Sequence, residues 1–459
     1  MASSSAIRRF SLYNPAALRQ KDSESTHIMP INETRLYRKM AWRLLPPLYI
    51  IYILAYLDRM CVGFAQLQMK DTLQFSDTVY GFGAGIFFVG YMLFEIPSNL
   101  ILEKVGARLW LTRIMITWGL ICCAMVTIET PQGFYILRFL LGLAEAGSFP
   151  GMILYFSYWF PAPVRAKYGA LLITATAASG VLGAPLAGLL LSMDGAFGLQ
   201  GWQWLFLAEG APSVLFGFML YFWLTDRPAK ASWLSSEEKA WLERTLAAEQ
   251  QSSSHRHAAD LGQALRHPKV WLLALIYFAV IINYYSISLW LPQLIKSWTG
   301  LNNVSTALLT GLPYFATVIV MIIVGAHSDK TQERRWHIVI CAWVAAAAFA
   351  LSPYLASPVW AIAAITVAAA GIWSTLAPFW TLPHTLLKEG PAKASGLALI
   401  NSIGNLGGFA GPYIVAWLKT ATGDFKLALP LLAATMAAGV LLVFFAAKAE
   451  EKPEPIPIQ

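Results

Sequence analysis

Twelve runs of about 20 apolar residues decide the class of this chain, because no single soluble core can bury so many. They lie near 43–65, 80–102, 109–128, 132–160, 167–192, 203–225, 270–297, 304–327, 336–353, 358–386, 393–419 and 425–447. A bilayer interior offers the backbone no water, so only helices or closed barrels cross it. Runs this long, without the alternation of a strand, predict helices and an all-α integral membrane fold. Of the 459 residues 57% are hydrophobic and 13% charged, against about 25% charged in a soluble domain.

Basic residues set the expected orientation. Lys70, Lys296, Lys419 and Lys426 fall on one face and Arg59 and Arg138 within the membrane; all the rest of the 33 Lys and Arg fall on the other face. By the positive-inside rule that face is cytoplasmic, and both termini share it. The net charge of +8 then reflects topology, and nucleic-acid binding is not expected. The first 42 residues are polar and basic with no apolar stretch before the first helix, which predicts a cytoplasmic tail rather than a cleaved signal. Cys61, Cys122, Cys123 and Cys341 all fall in predicted helices with no disulfide or metal spacing, and packing accounts for each.

The chain repeats itself. Glu103-Lys104 after helix 2 matches Asp329-Lys330 after helix 8 at an offset of 226 residues. Arg165-Ala-Lys-Tyr-Gly169 matches Ala392-Lys-Ala-Ser-Gly396, and Pro185 matches Pro412, both at 227. The expected organisation is a tail (1–42), a six-helix bundle (43–225), a linker (226–268), a second bundle (269–447) and a C-terminal tail (448–459). In the linker, Ser235-Ser-Glu-Glu238 forms a capping box, and Trp241, Leu242 and Leu246 give the following short helix an apolar stripe. A six-plus-six duplication resembles the major facilitator superfamily, whose halves are parallel repeats with substrate between them near the midplane. The loops after helices 2 and 8 resemble its Gly-x-x-x-Asp-Arg/Lys-x-Gly-Arg-Lys/Arg signature, with Asn99 and Glu103 departing in the first copy and Gln332 in the second. Glu103, Arg108, Asp329 and Arg334 are accordingly expected to form a conformational latch, acids capping helix ends and bases on carbonyls.

Charges inside the membrane point to function. Each costs about 2.5–3.5 kcal/mol at mid-bilayer even on the lenient insertion scale, and such groups mark substrate or proton routes. Asp58 and Arg59 lie in helix 1, Arg138 and Glu145 in helix 4. Helix rise puts Asp58 roughly 22 Å in from the cytoplasmic end and Arg138 about 10 Å from the outer one. These are similar depths, so an Asp58–Arg138 bridge is expected, with Glu145 two turns deeper. The four charges balance, so protonating a carboxylate frees a guanidinium, whose planar fork suits a carboxylate ligand. The second half carries neutral groups instead: Asn283, Tyr284, Tyr285, Ser288, Ser374, Thr375, Thr381, Asn401 and Asn405, with Trp373 and Trp380. This division predicts proton coupling in the first half and recognition in the second. Glu95 reads as interfacial and Glu209 as a structural pairing group. No phosphate-binding loop, metal cluster or nucleophile set is present, so an enzyme is not expected.

Tyr56-Leu-Asp58-Arg59, Tyr91-x-x-x-Glu95-Ile-Pro97 and Arg138-Phe-Leu-Leu-Gly142-Leu-Ala-Glu145-Ala-Gly-Ser-Phe-Pro150 together resemble the anion:cation symporter family. Its members include tartrate, phthalate, hydroxyphenylacetate, hexuronate and D-galactonate transporters. The resemblance spans about Trp42 to Phe444. It implies that Asp58 and Glu145 carry protonation, that Arg59 and Arg138 organise site and gate, and that Tyr56, Tyr91, Asn401 and Asn405 touch substrate. Where D-galactonate-type members have a helix-5 amide, this chain has Thr174 and Thr176; Glu-Ile-Pro-Ser-Asn, Trp204-Leu-Phe-Leu-Ala-Glu209-Gly and Phe379-Trp380-x-Leu-Pro383 sit closer to the tartrate, phthalate and hydroxyphenylacetate branch. The expectation is a monomeric symporter of the bacterial inner membrane. It would import a tartrate-like or aromatic carboxylate with protons by alternating access, with no cofactor but the proton. A sugar-acid symporter, an uncoupled facilitator or exchanger, and a non-transporting receptor on the same fold are the alternatives.

Overall fold

The computed structural model describes residues 31–254, 261–387 and 391–448, and these contain helices and no strand. The first half is built from α1 (Glu33–Leu73), α2 (Asp77–Val105), α3 (Ala107–Ala124), α4 (Pro131–Glu145) with α5 (Ser148–Ser157), α6 (Ala162–Leu191) and α7 (Gly201–Trp223). The linker carries α8 (Ser236–Ser254) and α9 (Leu261–Arg266). The second half is α10 (Pro268–Thr299), α11 (Asn303–Thr331), α12 (Arg335–Leu351), α13 (Pro358–Leu386), α14 (Pro391–Thr422) and α15 (Ala428–Lys448). Polar caps start several of these helices where the apolar runs begin: Ser76 accepts from the Val79 N–H, Thr130 from Gly133 and Asn302 from Ser305.

Eleven stretches among the described residues are long and apolar enough to span a membrane. The remaining expected span corresponds to α14, a 32-residue helix whose apolar character is diluted by Asn401, Asn405 and a run of glycines. That dilution fits its place inside the molecule: α14 packs between α10 of its own half and α2 of the other. Between halves, α2 meets α14, α6 meets α11 and α1 meets α10. Exchanging the halves turns the α2–α14 contact into the α11–α6 contact, the symmetry the repeat in the sequence demands.

The halves are tied firmly at the face opposite the basic loops. Lys296 donates to the Leu67 carbonyl (3.1 Å), Thr78 meets Thr420 (2.8 Å), Tyr80 donates to the Leu289 carbonyl (3.1 Å) and Lys419 reaches Asp77 (3.3 Å). Asp77 also holds Lys70 at 2.9 Å.

Helix α1 begins ten residues before the predicted membrane entry, so the expected tail is helical from Glu33; residues 1–30, the C-terminal tail beyond 448 and linker residues 255–260 lie outside the described residues. The extension serves as a docking post for α8. Lys39 pairs with Glu238 at 2.7 Å, Tyr37 packs edge-on against Trp241, and Glu249 holds Arg165 of α6 at 3.0 Å. The capping box is present, with Glu238 N–H donating to the Ser235 hydroxyl and Ser235 N–H to the Glu238 carboxylate. Partial burial raises the proton affinity of Glu238, but the bonds from Lys39 and the Ser235 N–H outweigh it and hold the carboxyl below its ordinary value.

Close approach of α2 and α4 sets the position of the functional charges. A Cβ on Gly142 would lie 2.0 Å from the Phe87 carbonyl oxygen, so only glycine fits there. Gly142→Ala must push the helices apart, at about 1–3 kcal/mol. A thermal midpoint lowered by several degrees in detergent is the expected result, and an unchanged midpoint would show the contact to be slack.

Candidate functional site

Helix four is not continuous. Ala146 leaves the helical region (φ −55°, ψ 135°) and Gly147 turns left-handed (φ +82°), so α4 ends on Glu145 and α5 starts anew at Ser148. Ser98 of α2 fixes the break by donating to the Ala146 carbonyl at 2.7 Å, and a side chain on Gly147 would strike that hydroxyl. The sequence carried the signal in Gly147-Ser-Phe-Pro150, although the segment reads as one helix from periodicity alone. The break delivers the Glu145 carboxylate, fully buried, at a helix end where a cation can meet it.

That cation is Arg59. Its Nε donates to Glu145 Oε1 at 2.9 Å and its Nη2 to the same oxygen, while its Nη1 donates to the Tyr285 hydroxyl of the opposite half at 3.2 Å. The guanidinium is surrounded by aromatic rings, 5.3 Å from the centre of Tyr56, 5.5 Å from Phe87 and 5.1 Å from Tyr91. Tyr56, Arg59, Met60, Tyr284, Tyr285 and Ser288 line a cavity of about 10 Å³ between the halves, room for one water molecule. Tyr284 and Tyr285 pack edge to face, with Trp373 against Tyr284. Glu145 Oε2 has no hydrogen-bond partner, which leaves an acceptor position for a proton.

The Asp58–Arg138 bridge predicted from depth does not form. Asp58 is fully buried and accepts instead from the Cys122 thiol of α3 at 3.0 Å. Arg138 lies over Phe87 at 4.9 Å and donates weakly to the Gly83 and Ala84 carbonyls at 3.4 and 3.5 Å, with Nη1 unpartnered. Arg138 shares the interior of the first half with Asp58 but turns its guanidinium to Phe87 and the two carbonyls; Asp58 and Arg59, neighbours on one helix, project about 100° apart. Arg59 therefore faces the other half while Asp58 faces the interior of its own.

Asn401 does not reach the cavity around Arg59. Its amide donates to Glu95 Oε1 at 3.0 Å, a bond across the two halves. Glu95, which the sequence reads as interfacial, is buried; its spacing of four from Tyr91 on a helix face was the available signal. Asn405 is half-buried one turn further along. Trp380 packs against Tyr277 at 5.0 Å, away from the cavity lining. Tyr285 is the residue sequence reasoning undervalued, since an aromatic in an aromatic-rich helix carries no mark of the arginine it meets.

Of the four residues expected to form a latch, only the two in the second half pair. Asp329 pairs with Arg334 at 2.7 Å, and Arg334 also donates to Ser328. In the first half Glu103 is exposed and does not pair with Arg108, whose guanidinium covers Tyr221 at 4.1 Å. The helix-capping acids are others: Asp226 accepts from the Arg108 N–H at 2.9 Å and Glu333 from the Trp336 N–H at 2.8 Å. Asp226 follows α7, far along the chain from the loop motif, so the motif's spacing could not point to it.

A polytopic bundle of two related halves, closed over a central arginine and carboxylate, defines a membrane transporter. The family model for the Major Facilitator Superfamily matches residues 48–412, and the chain belongs to that superfamily. The chain is 45% identical to the "Putative tartrate transporter" of Agrobacterium vitis, over 92% of this chain and 93% of that one. It is 42% identical to a quinolone resistance transporter of Acinetobacter baumannii, over 93% and 99%. These relatives support its placement with the anion:cation symporters. A bacterial homologue of the human lysosomal transporter Spinster shares the fold, with a TM-score of 0.74 at 15% identity over 92% of this chain and 99% of that one.

Proposed function

We propose that this protein imports a small organic carboxylate, a tartrate-like hydroxy acid or an aromatic acid, together with protons by alternating access. The observation that carries the reading is the buried Arg59–Glu145 pair at the meeting of the halves, joined to Tyr285 across the interface. While Glu145 is ionised it occupies the guanidinium. A proton on Glu145 removes its charge and frees two parallel N–H donors for the carboxylate of a substrate. The cavity has room for no more than a single water, so the halves must part before an anion enters. Breaking a buried ion pair without replacement costs about 3–5 kcal/mol, and a proton with an incoming anion supplies the replacement.

A simple carboxylate is favoured over a sugar acid because Thr174 and Thr176 both donate to carbonyls of their own helix. The basic loops favour an orientation with both termini cytoplasmic, and the bacterial relatives favour the inner membrane. The test is uptake by purified protein in liposomes, with and without an imposed pH gradient, across a panel containing tartrate, benzoate-type acids, galactonate and a quinolone. Accumulation of tartrate or an aromatic acid, driven by the gradient, is expected. Transport of the quinolone alone, or of galactonate alone, would replace the substrate class.

A further inference from the structure

The ion pair between Arg59 and Glu145 leaves the rest of the first half with an unbalanced charge set. Glu209 of α7 is buried, with Oε2 unpartnered, and so is Asp58 with Oδ2 unpartnered. One oxygen from each carboxylate and the Cys122 sulfur all lie within 4.8 Å of one another. The groups facing this cluster are Cys61 from α1, Trp118 and Cys122 from α3 and Arg138 from α4, while Arg59, next to Asp58 in α1, also acts on it but is paired with Glu145. Arg138 is the cation that acts on both acids. Two carboxylates this close in a buried site, with a single unpaired cation to serve both, cannot both ionise.

We propose that Asp58 and Glu209 hold one proton between them as a dyad, and that Glu209 is thereby a third member of the proton-coupling set. A divalent cation would find three donor atoms here, but the Arg138 guanidinium opposes a second positive centre; a proton needs only the two free oxygens. Glu145 then governs Arg59 on the face turned to the other half, and the dyad governs Asp58 on the face turned to the bundle. The two are joined through consecutive residues of α1. This role in coupling rests on the proton symport proposed above.

The test reads the protonated-carboxyl C=O stretch in infrared pH titrations of purified protein, beside pH-gradient-driven uptake in liposomes. Wild-type protein is expected to show a protonated carboxyl at neutral pH that Glu209→Gln lacks. Asp58→Asn should move the titration of that same signal by about one pH unit or more, since the partners of a dyad titrate together. The uptake profile of Glu209→Gln should move to lower pH by a similar amount. Should the glutamine variant fail to fold, Glu209→Asp keeps the signal and titrates at a different pH from wild type. A signal unchanged in Glu209→Gln, or unmoved in Asp58→Asn, overturns the dyad. Wild-type uptake that ignores the pH gradient overturns symport instead, and the infrared titrations still decide the dyad.

Discussion

Glu145→Gln is expected to abolish accumulation of substrate against its gradient while leaving downhill exchange measurable. The amide has nearly the shape of the protonated acid but cannot release a proton, so it fixes the site in its loaded form. Arg59 loses the charge that holds it and stays open to the anion in both orientations of the carrier. Each proton moved down a gradient of one pH unit supplies about 1.4 kcal/mol, a tenfold accumulation. In the variant that factor falls to one. Measuring the steady-state ratio of substrate across proteoliposomes at several imposed gradients checks this, and a variant that still follows the gradient would remove Glu145 from the coupling set.

Arg59→Lys should be nearly as damaging, although it keeps the charge. Arg59 uses three nitrogens at once, two on Glu145 and one on Tyr285 across the halves, and its plane lies among the rings of Tyr56, Phe87 and Tyr91. A lysine offers a compact point charge on a shorter reach and cannot span both partners. Losing one charge-assisted hydrogen bond costs about 1.5–3 kcal/mol, which corresponds to a rise of about ten- to a hundredfold in the KM for substrate. Initial-rate uptake over a range of concentrations tests it. A lysine variant with wild-type KM would mean that Arg59 provides charge alone.

Much of the architecture is legible in the sequence because a bilayer reads it so strictly: long apolar runs, basic loops and a repeat at a constant offset leave few other folds. Arg59 and Glu145 stand out by charge and depth, Tyr284 by type, and Tyr56 and Tyr91 through the family resemblance; the structure gathers all five around one guanidinium. Which acid meets which base was not legible. Depth along a helix follows from counting residues, but the pairing depends on helix rotation and on the break at Gly147, both fixed by packing. The partners of Asn401 and of Glu209 sit on helices distant in sequence, with nothing in either segment to name them. Asp226 replaces Glu103 as a cap for the same reason.

Proton coupling is tested most directly by watching the proton itself. Substrate is added to proteoliposomes loaded with a pH-sensitive dye, with no pH gradient imposed and the membrane potential clamped by valinomycin and potassium. Symport predicts acidification of the lumen that begins with substrate addition, scales with its uptake and disappears in Glu145→Gln. Repeating it at an inside-negative potential separates stoichiometries: a monoanion carried with one proton ignores the potential, whereas two protons make uptake faster. Uptake of substrate with no acidification of the lumen would contradict the reading of Arg59 and Glu145 as a proton-operated anion site.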